Sequence, residues 1–253
     1  MRVFLTGASS GVGEALARRY AGMGATLGLV ARRKGELERV AARVAPATVA
    51  TYALDVREGD ALAAAGADFC ARFGTPDVVI ANAGVSRGTV TEEPSDRAAF
   101  QAVFDTNVMG VVNTFSPFAA AMRREGRGTL AGIASIAGFR GLPGAGAYSA
   151  SKAAVITYLE ALRIEMHGSG VDVLTLCPGF IATPMTARNP YRMPFILTAE
   201  RAAELMMNAI ARRQRFYVLP WQVAWLGRLL RVTPRPILDR VLATRKRKPR
   251  QVD

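Results

Sequence analysis

Short apolar runs alternate along this chain with longer stretches in which apolar side chains recur every three or four positions. Arg2 to Thr6, Thr26 to Ala31, Thr48 to Leu54, Asp77 to Ile80, Thr129 to Ser135, Val171 to Cys177 and Phe216 to Leu219 have the length and bulk of buried strands. Glu14 to Met23, Arg57 to Phe73, Ser95 to Glu125 and Tyr148 to Met166 carry helical spacing instead. This alternation predicts an α/β fold, with a doubly wound, mainly parallel sheet of six or seven strands and helices on both faces. Residues 1–219 show no repeat and no linker, so they read as one domain, and residues 220–253 form a basic, aromatic extension.

The first strand runs directly into Gly7-Ala8-Ser9-Ser10-Gly11-Val12-Gly13, and a helix follows. Such a loop suits a dinucleotide: glycines allow a tight turn and close backbone approach, and the helix N-terminus offers amide donors to a pyrophosphate. The spacing is G-x-x-x-G-x-G, a variant of the usual fingerprint, and alone it also fits a simple turn. The end of the second strand sharpens the reading. A site for NAD(H) usually has a carboxylate there to accept the ribose 2′-hydroxyl. Here the chain reads Ala31-Arg32-Arg33-Lys34. Guanidinium groups bind a 2′-phosphate that a carboxylate would repel, so NADP(H) is expected in preference to NAD(H).

Candidate chemistry lies between Ser135 and Lys152. Tyr148 and Lys152 stand at i and i+4 on one helix, and Ser135 ends a strand whose C-terminal edge is where ligands bind in open α/β sheets. A phenol titrates near 10, and a fixed ammonium close by is expected to lower that value toward neutrality. The set points to proton transfer at an oxygen, although Tyr-x-x-x-Lys by itself also fits a surface pair. Asn107 sits within an apolar helical run and needs a specific partner. Pro178-Gly179-Phe180-Ile181-Ala182-Thr183-Pro184 then opens a long loop carrying Met185, Tyr191, Met193, Phe195 and Ile196. Those side chains suit a lid over a lipophilic substrate.

With Thr6-Gly7-x-x-x-Gly11-x-Gly13, Asp55, Asn82-Ala83-Gly84, Asn107, Ser135, Tyr148-x-x-x-Lys152, Pro178-Gly179 and Thr183 in this order, the chain resembles the short-chain dehydrogenase/reductase family over residues 2–220. The resemblance implies a Rossmann-like fold and a carbonyl–alcohol oxidoreductase. It implies that Tyr148 is the general acid or base and that Lys152 tunes it and binds the nicotinamide ribose. It further implies that Ser135 orients the substrate oxygen and that Asn107 holds a relay water. Asp55 and Val56 would lie by the adenine, Asn82, Ala83 and Gly84 beside the cofactor, and Ile181 and Thr183 at the carboxamide. Ala81 departs from the frequent Asn-Asn-Ala-Gly, with Asn82 retained. A non-catalytic NADP(H) sensor is the alternative, but it has no need of the complete proton-transfer set.

Charge and composition mainly change the picture of the tail. Of 253 residues, 211–253 hold 12 basic against 2 acidic side chains, so most of the net charge of +13 is C-terminal. Trp221, Trp225 and Leu229 share a helical face there, and Thr244-Arg245-Lys246-Arg247-Lys248-Pro249-Arg250 follows. This extension could pack on the body, on a second subunit of a homodimer or homotetramer, or on an anionic membrane surface; nucleic-acid binding is not expected. Cys70 and Cys177 are far apart, and His167 is the single histidine, so neither a metal site nor a disulfide framework is expected. The opening strand leaves no room for a signal peptide and no apolar run reaches spanning length, so a cytoplasmic protein is expected.

Overall fold

In the computed structural model, which describes residues 1–187, 189–244, 248 and 250, strands and helices alternate almost throughout. The order is β1 (Arg2–Thr6), α1 (Gly11–Gly22), β2 (Thr26–Ala31), α2 (Lys34–Arg43), β3 (Val49–Ala53), α3 (Gly59–Phe73) and β4 (Val78–Ala81). Then come α4 (Asp96–Phe104), α5 (Gly110–Glu125), β5 (Gly128–Ile133), α6 (Gly146–Glu165) and β6 (Val171–Pro178). A small ribbon of β7 (Ile181–Ala182) and β8 (Leu197–Thr198) precedes α7 (Ala199–Ala211), β9 (Phe216–Leu219), α8 (Trp221–Val232) and α9 (Arg235–Ala243).

Seven strands form one sheet in the order β3-β2-β1-β4-β5-β6-β9, every pair parallel. Parallel strands need covered faces, and the side-chain alternation supplies two cores. In β1, Val3 and Leu5 pack toward α1 and α7 with Leu16, Tyr20, Met206 and Ile210. Phe4, between them, points the other way into Phe69, Phe118 and Leu130. The chain winds outward from β1 through β2 and β3, then returns to β4 on the other side of β1. That reversal opens a crevice beyond the carboxyl ends of β1 and β4, which is where the glycine loop and Asn82-Ala83-Gly84 emerge.

Three expectations shift in detail. The stretch from Ser95 is not one helix: a wide π turn, Asp105–Met109, separates α4 from α5 and turns Asn107 inward. Ser135 lies past the end of β5, where its Oγ accepts from Ala137 N at 3.1 Å and caps a single 3₁₀ turn, Ile136–Gly138. The lid loop is closed at its base by the β7–β8 pairing.

The tail docks by the face opposite its tryptophans. Val223 is 2% exposed and Gly227 is buried, whereas Trp221 is 69% and Trp225 62% exposed. The body therefore does not take up the tryptophan face. The reason is steric, since a Cβ at residue 227 would come within 2.7 Å of the Phe139 ring, so only glycine lets α8 lie this close. Arg140 then holds the helix end, donating from Nε to Leu230 O at 2.7 Å and from Nη2 to Arg231 O at 2.6 Å, carbonyls that lack helical partners. Arg245, Lys246, Arg247 and Pro249 of the basic run lie outside the described residues. Among the described residues no helix is long and apolar enough to cross a membrane.

Candidate active site

The crevice is a cavity of about 330 Å³. Of the residues singled out in the sequence, Gly7, Ser9, Ser10, Gly11, Val12, Arg32, Arg33, Asp55, Val56, Asn82, Ala83, Gly84, Ser135, Tyr148, Lys152, Pro178, Gly179, Ile181 and Thr183 line it. Gly13 and Asn107 do not; both stand behind the wall.

At one end, Asn82 stitches two strand exits together. Its Nδ2 donates to Thr6 O at 3.0 Å and Gly7 O at 3.1 Å, while the Thr6 hydroxyl accepts from the Asn82 and Ala83 amides at 3.2 and 3.3 Å. Gly7 has φ +69°, and a Cβ there would lie 2.8 Å from Ala83 Cα, so both conformation and space demand glycine. A Cβ on Gly13 would overlap the Gly7 carbonyl oxygen, so Gly13 serves by letting α1 close on the turn. Open backbone amides at a helix start, with no side chain between them and the cavity, fit a pyrophosphate.

Beside this loop, Arg33 Nη2 donates to Ser9 Oγ at 3.2 Å and Ser10 Oγ at 3.1 Å. Arg32 Nη1 is 3.8 Å from Asp55 Oδ2. Burial works to raise the Asp55 carboxyl, but hydrogen bonds from the Arg57 guanidinium (3.0 and 2.8 Å) and backbone (3.0 Å) overcome it and hold the group below its ordinary value. Two guanidiniums and two hydroxyls thus bracket the end of β2.

At the other end, α6 stacks Tyr148 above Lys152, and the Ser135 turn lies against it. A Cβ on Gly138 would fall 2.7 Å from the Lys152 carbonyl carbon, so that glycine sets how closely Ser135 approaches the helix. Lys152 is buried and donates to Ile133 O at 2.7 Å, with its ammonium 5.9 Å from the Tyr148 ring centroid. Burial brings its pKa down to about 8, with Cys177 opposing. The expected lowering of the phenol is not found. Burial raises Tyr148 above the ordinary value and Tyr191 adds to that, while the Ser135 hydroxyl pulls against it. Cys177, pushed up to about 12 by burial, remains a thiol.

Asn107 is fully buried: its Oδ1 accepts from Val85 N at 2.8 Å, and its Nδ2 donates to Val85 O and Ser151 Oγ, both at 3.0 Å. Ser151 in turn donates to Tyr148 O at 2.8 Å. Asn107 therefore pins the exit of β4 to α6. A Cβ on Gly84 would lie 3.2 Å from Asn107 Oδ1 and 3.8 Å from Lys152 Nζ, so those two groups flank one gap. Sequence reasoning missed Gly138, Val85 and Ser151. Gly138, in Ser135-Ile136-Ala137-Gly138, was within sight as a glycine beside the chemistry; the others carry no local signal.

A family model for short chain dehydrogenases matches residues 1–192. The chain belongs to the short-chain dehydrogenase/reductase family. It is 40% identical over 237 residues to an uncharacterized oxidoreductase of Myxococcus xanthus, covering 93% of each chain. A short-chain dehydrogenase/reductase of Burkholderia phymatum in complex with NAD superposes with TM-score 0.82 at 28% identity, over 98% of this chain and 96% of that one. The alcohol dehydrogenase of the archaeon Thermococcus sibiricus, complexed with 5-hydroxy-NADP, gives TM-score 0.77 at 28% identity, over 86% and 95%. Short-chain dehydrogenase/reductases thus hold a nicotinamide cofactor in this fold, in either form.

The burial of Lys152 has a measurable consequence. Its pKa is about 8 in the folded protein against an ordinary 10.5, so between those values the unfolded chain binds more protons and stability rises with pH. Lys152→Met removes the buried cation. Its unfolding free energy relative to the parent should be highest below pH 8 and fall by about 3 kcal/mol as the pH rises through this window. Urea titrations of both proteins at a series of pH values measure this; a flat difference would mean that the ammonium is not desolvated.

Proposed function

We propose that this protein is an NADP(H)-dependent oxidoreductase that interconverts a ketone or aldehyde and the corresponding alcohol, with Tyr148 as the proton donor and acceptor. One observation carries the reading: Ser135, Tyr148 and Lys152, drawn from two elements, line the same cavity as the glycine loop and the two arginines. When bound, the reduced nicotinamide supplies a hydride to the carbonyl carbon. Tyr148 gives its hydroxyl proton to the carbonyl oxygen as that oxygen becomes a hydroxyl. Ser135 hydrogen-bonds the same oxygen and stabilises the charge that develops on it. Lys152 turns from Ile133 O to the ribose and stabilises the phenolate, and a water in the gap over Gly84 returns a proton from solvent. Alcohol oxidation reverses each transfer. A phenol held above its ordinary pKa starts as an acid at neutral pH, which suits reduction.

The cofactor preference is supported by Arg33, already aimed across Ser9 and Ser10, and by Arg32 beside it. Substrate lipophilicity is supported by Val85 and Met185 in the cavity wall and by Phe180 against Tyr191 in the loop above, ring centroids 6.2 Å apart. We also propose that the α8 face meets an anionic lipid surface in the cytoplasm. Its exposed Trp221, Trp225 and Leu229 stand with Arg228, whose guanidinium lies 5.1 Å from the Trp225 ring centroid, in the most basic part of the chain. A homodimer or homotetramer would then use another face.

Three results test these readings. Tyr148→Phe keeps the ring but not the proton, so turnover should fall about 10²–10⁴-fold with NADPH affinity near normal; retained turnover on a confirmed carbonyl substrate would assign the proton to another group. Arg33→Ala and Arg32→Ala should each weaken NADPH by about tenfold or more and leave NADH little changed, as charge-assisted bonds to the 2′-phosphate are worth about 1.5–3 kcal/mol. Fluorescence titration with both cofactors reads this, and equal losses would refute the assignment. Finally, the protein should sediment with anionic vesicles, less so in high salt, and the double variant Trp221→Ala/Trp225→Ala should bind them weakly with an unchanged melting temperature. Indifference to anionic vesicles at low salt would remove the lipid reading.

A further inference from the structure

Two residues late in the chain, Lys248 and Arg250, meet the segment that follows β4. Arg250 donates from Nε to Asp96 Oδ2 at 2.9 Å and Oδ1 at 3.2 Å and from Nη2 to Ser95 Oγ at 3.1 Å; its Nη1 lies 3.2 Å from Glu93 Oε1. Its backbone also makes a parallel bridge with Gly88. The receptor is built for the purpose: Asp96 is buried, and its Oδ2 also accepts from Val90 N at 2.8 Å, so one carboxylate ties both the loop after β4 and the returning tail. A buried carboxylate with such partners is a firm anchor, since breaking the pair would strand a charge.

Two residues before the anchor, Lys248 comes close to Tyr148. Its ammonium donates to Ser86 Oγ at 2.5 Å and stands 5.8 Å from the Tyr148 ring centroid, nearly the distance of Lys152. Lys152 has a settled place under the ring, on the Ile133 carbonyl. Lys248 does not: among the described residues its hydrogen-bond partner is one neutral hydroxyl, and no carboxylate pairs with it. The nearby acids Glu93 and Asp96 are taken by Arg250. A partly buried cation with no counter-ion among the described residues, beside Tyr148, is poised to accept an anion.

We propose that Lys248 stands at the edge of the substrate site and is a specificity-determining residue, selecting carbonyl substrates that carry a carboxylate or sulfonate near the reacting carbon. This deepens the carbonyl-reductase reading and rests on it. The substrate is then an oxo acid, its anion on Lys248, its carbonyl oxygen between Tyr148 and Ser135 and its apolar part beneath the 180–197 loop. Reduction converts the oxo acid and NADPH, with one proton, into the hydroxy acid and NADP⁺; the anion takes no part in the bond changes.

The test uses the full chain with NADPH and three oxo acids (2-oxohexanoate, 4-oxopentanoate and 5-oxohexanoate), each paired with its methyl ester. Turnover gives kcat/KM, and fluorescence of bound NADPH gives affinity independently of turnover. At least one acid should be preferred over its ester tenfold or more in both readouts. Lys248→Met should reduce that ratio at least fivefold, chiefly through KM; Lys248→Arg should restore much of it. Arg250→Ala, which frees the anchor without touching the cavity, should act like Lys248→Met. The inference is overturned if no acid is preferred over its ester, if both variants weaken acid and ester equally, or if both variants speed both substrates, which would mark the tail as a cover. Tyr148→Phe keeps the two readings apart. If that variant turns over normally, the assigned proton donor is wrong, while the binding preference for acid over ester still judges Lys248.

Discussion

Asn82 directs its amide at the carbonyls of Thr6 and Gly7, and the geometry of the whole cavity depends on that stitch. β1 and β4 leave the sheet side by side, and their following segments diverge to opposite ends of the site. Without a tie between the two exits, the glycine loop would be free to move away from Ala83 and Gly84. The contact is close enough that Gly7 and Gly13 can carry no side chain, so two glycines of the fingerprint serve the join as much as the ligand. Asn107 repeats the device one layer deeper by joining Val85 to Ser151 on α6. The half-buried Asn82 and the buried Asn107 therefore connect the glycine-loop end of the cavity to the Tyr148 end.

That rigidity matters because the charges at the reactive end are poorly solvated. Lys152 is held in the folded protein at an energetic penalty, and the phenol above it is pushed toward its neutral form. The sheet's double core, with Phe4 on one face and Val3 and Leu5 on the other, supplies the stability that tolerates it.

The extension after β9 does two separate things. Its helical part fills the sheet edge through Val223 and Gly227, with Arg140 holding its last carbonyls, and leaves the tryptophans outward. Farther on, Arg250 meets Asp96 and Lys248 stands near the Tyr148 ring. Basic residues that count as one block of charge in the sequence thus divide between an outer face and the neighbourhood of Tyr148.

The sequence alone determined the strand–helix alternation, the position of the glycine loop, the arginines after β2 and the Ser135, Tyr148 and Lys152 set. These are local signals: periodicity over a few turns, glycine where φ is positive, and side chains one helical turn apart. What it could not determine depends on groups distant in the chain. Burial raises the Tyr148 phenol that a nearby ammonium was expected to lower, and no spacing rule encodes that burial. Trp221 and Trp225 marked a face for packing, yet Gly227 against Phe139, nearly ninety residues away in sequence, decided which side of α8 is buried. Lys248 read as part of a solvated basic run until the Asp96 receptor fixed the residue two positions beyond it. Hydrophobic period and turn chemistry act over neighbours and survive in the one-dimensional pattern, whereas burial, counter-ion choice and the reach of a tail are settled only when remote segments compete for the same space.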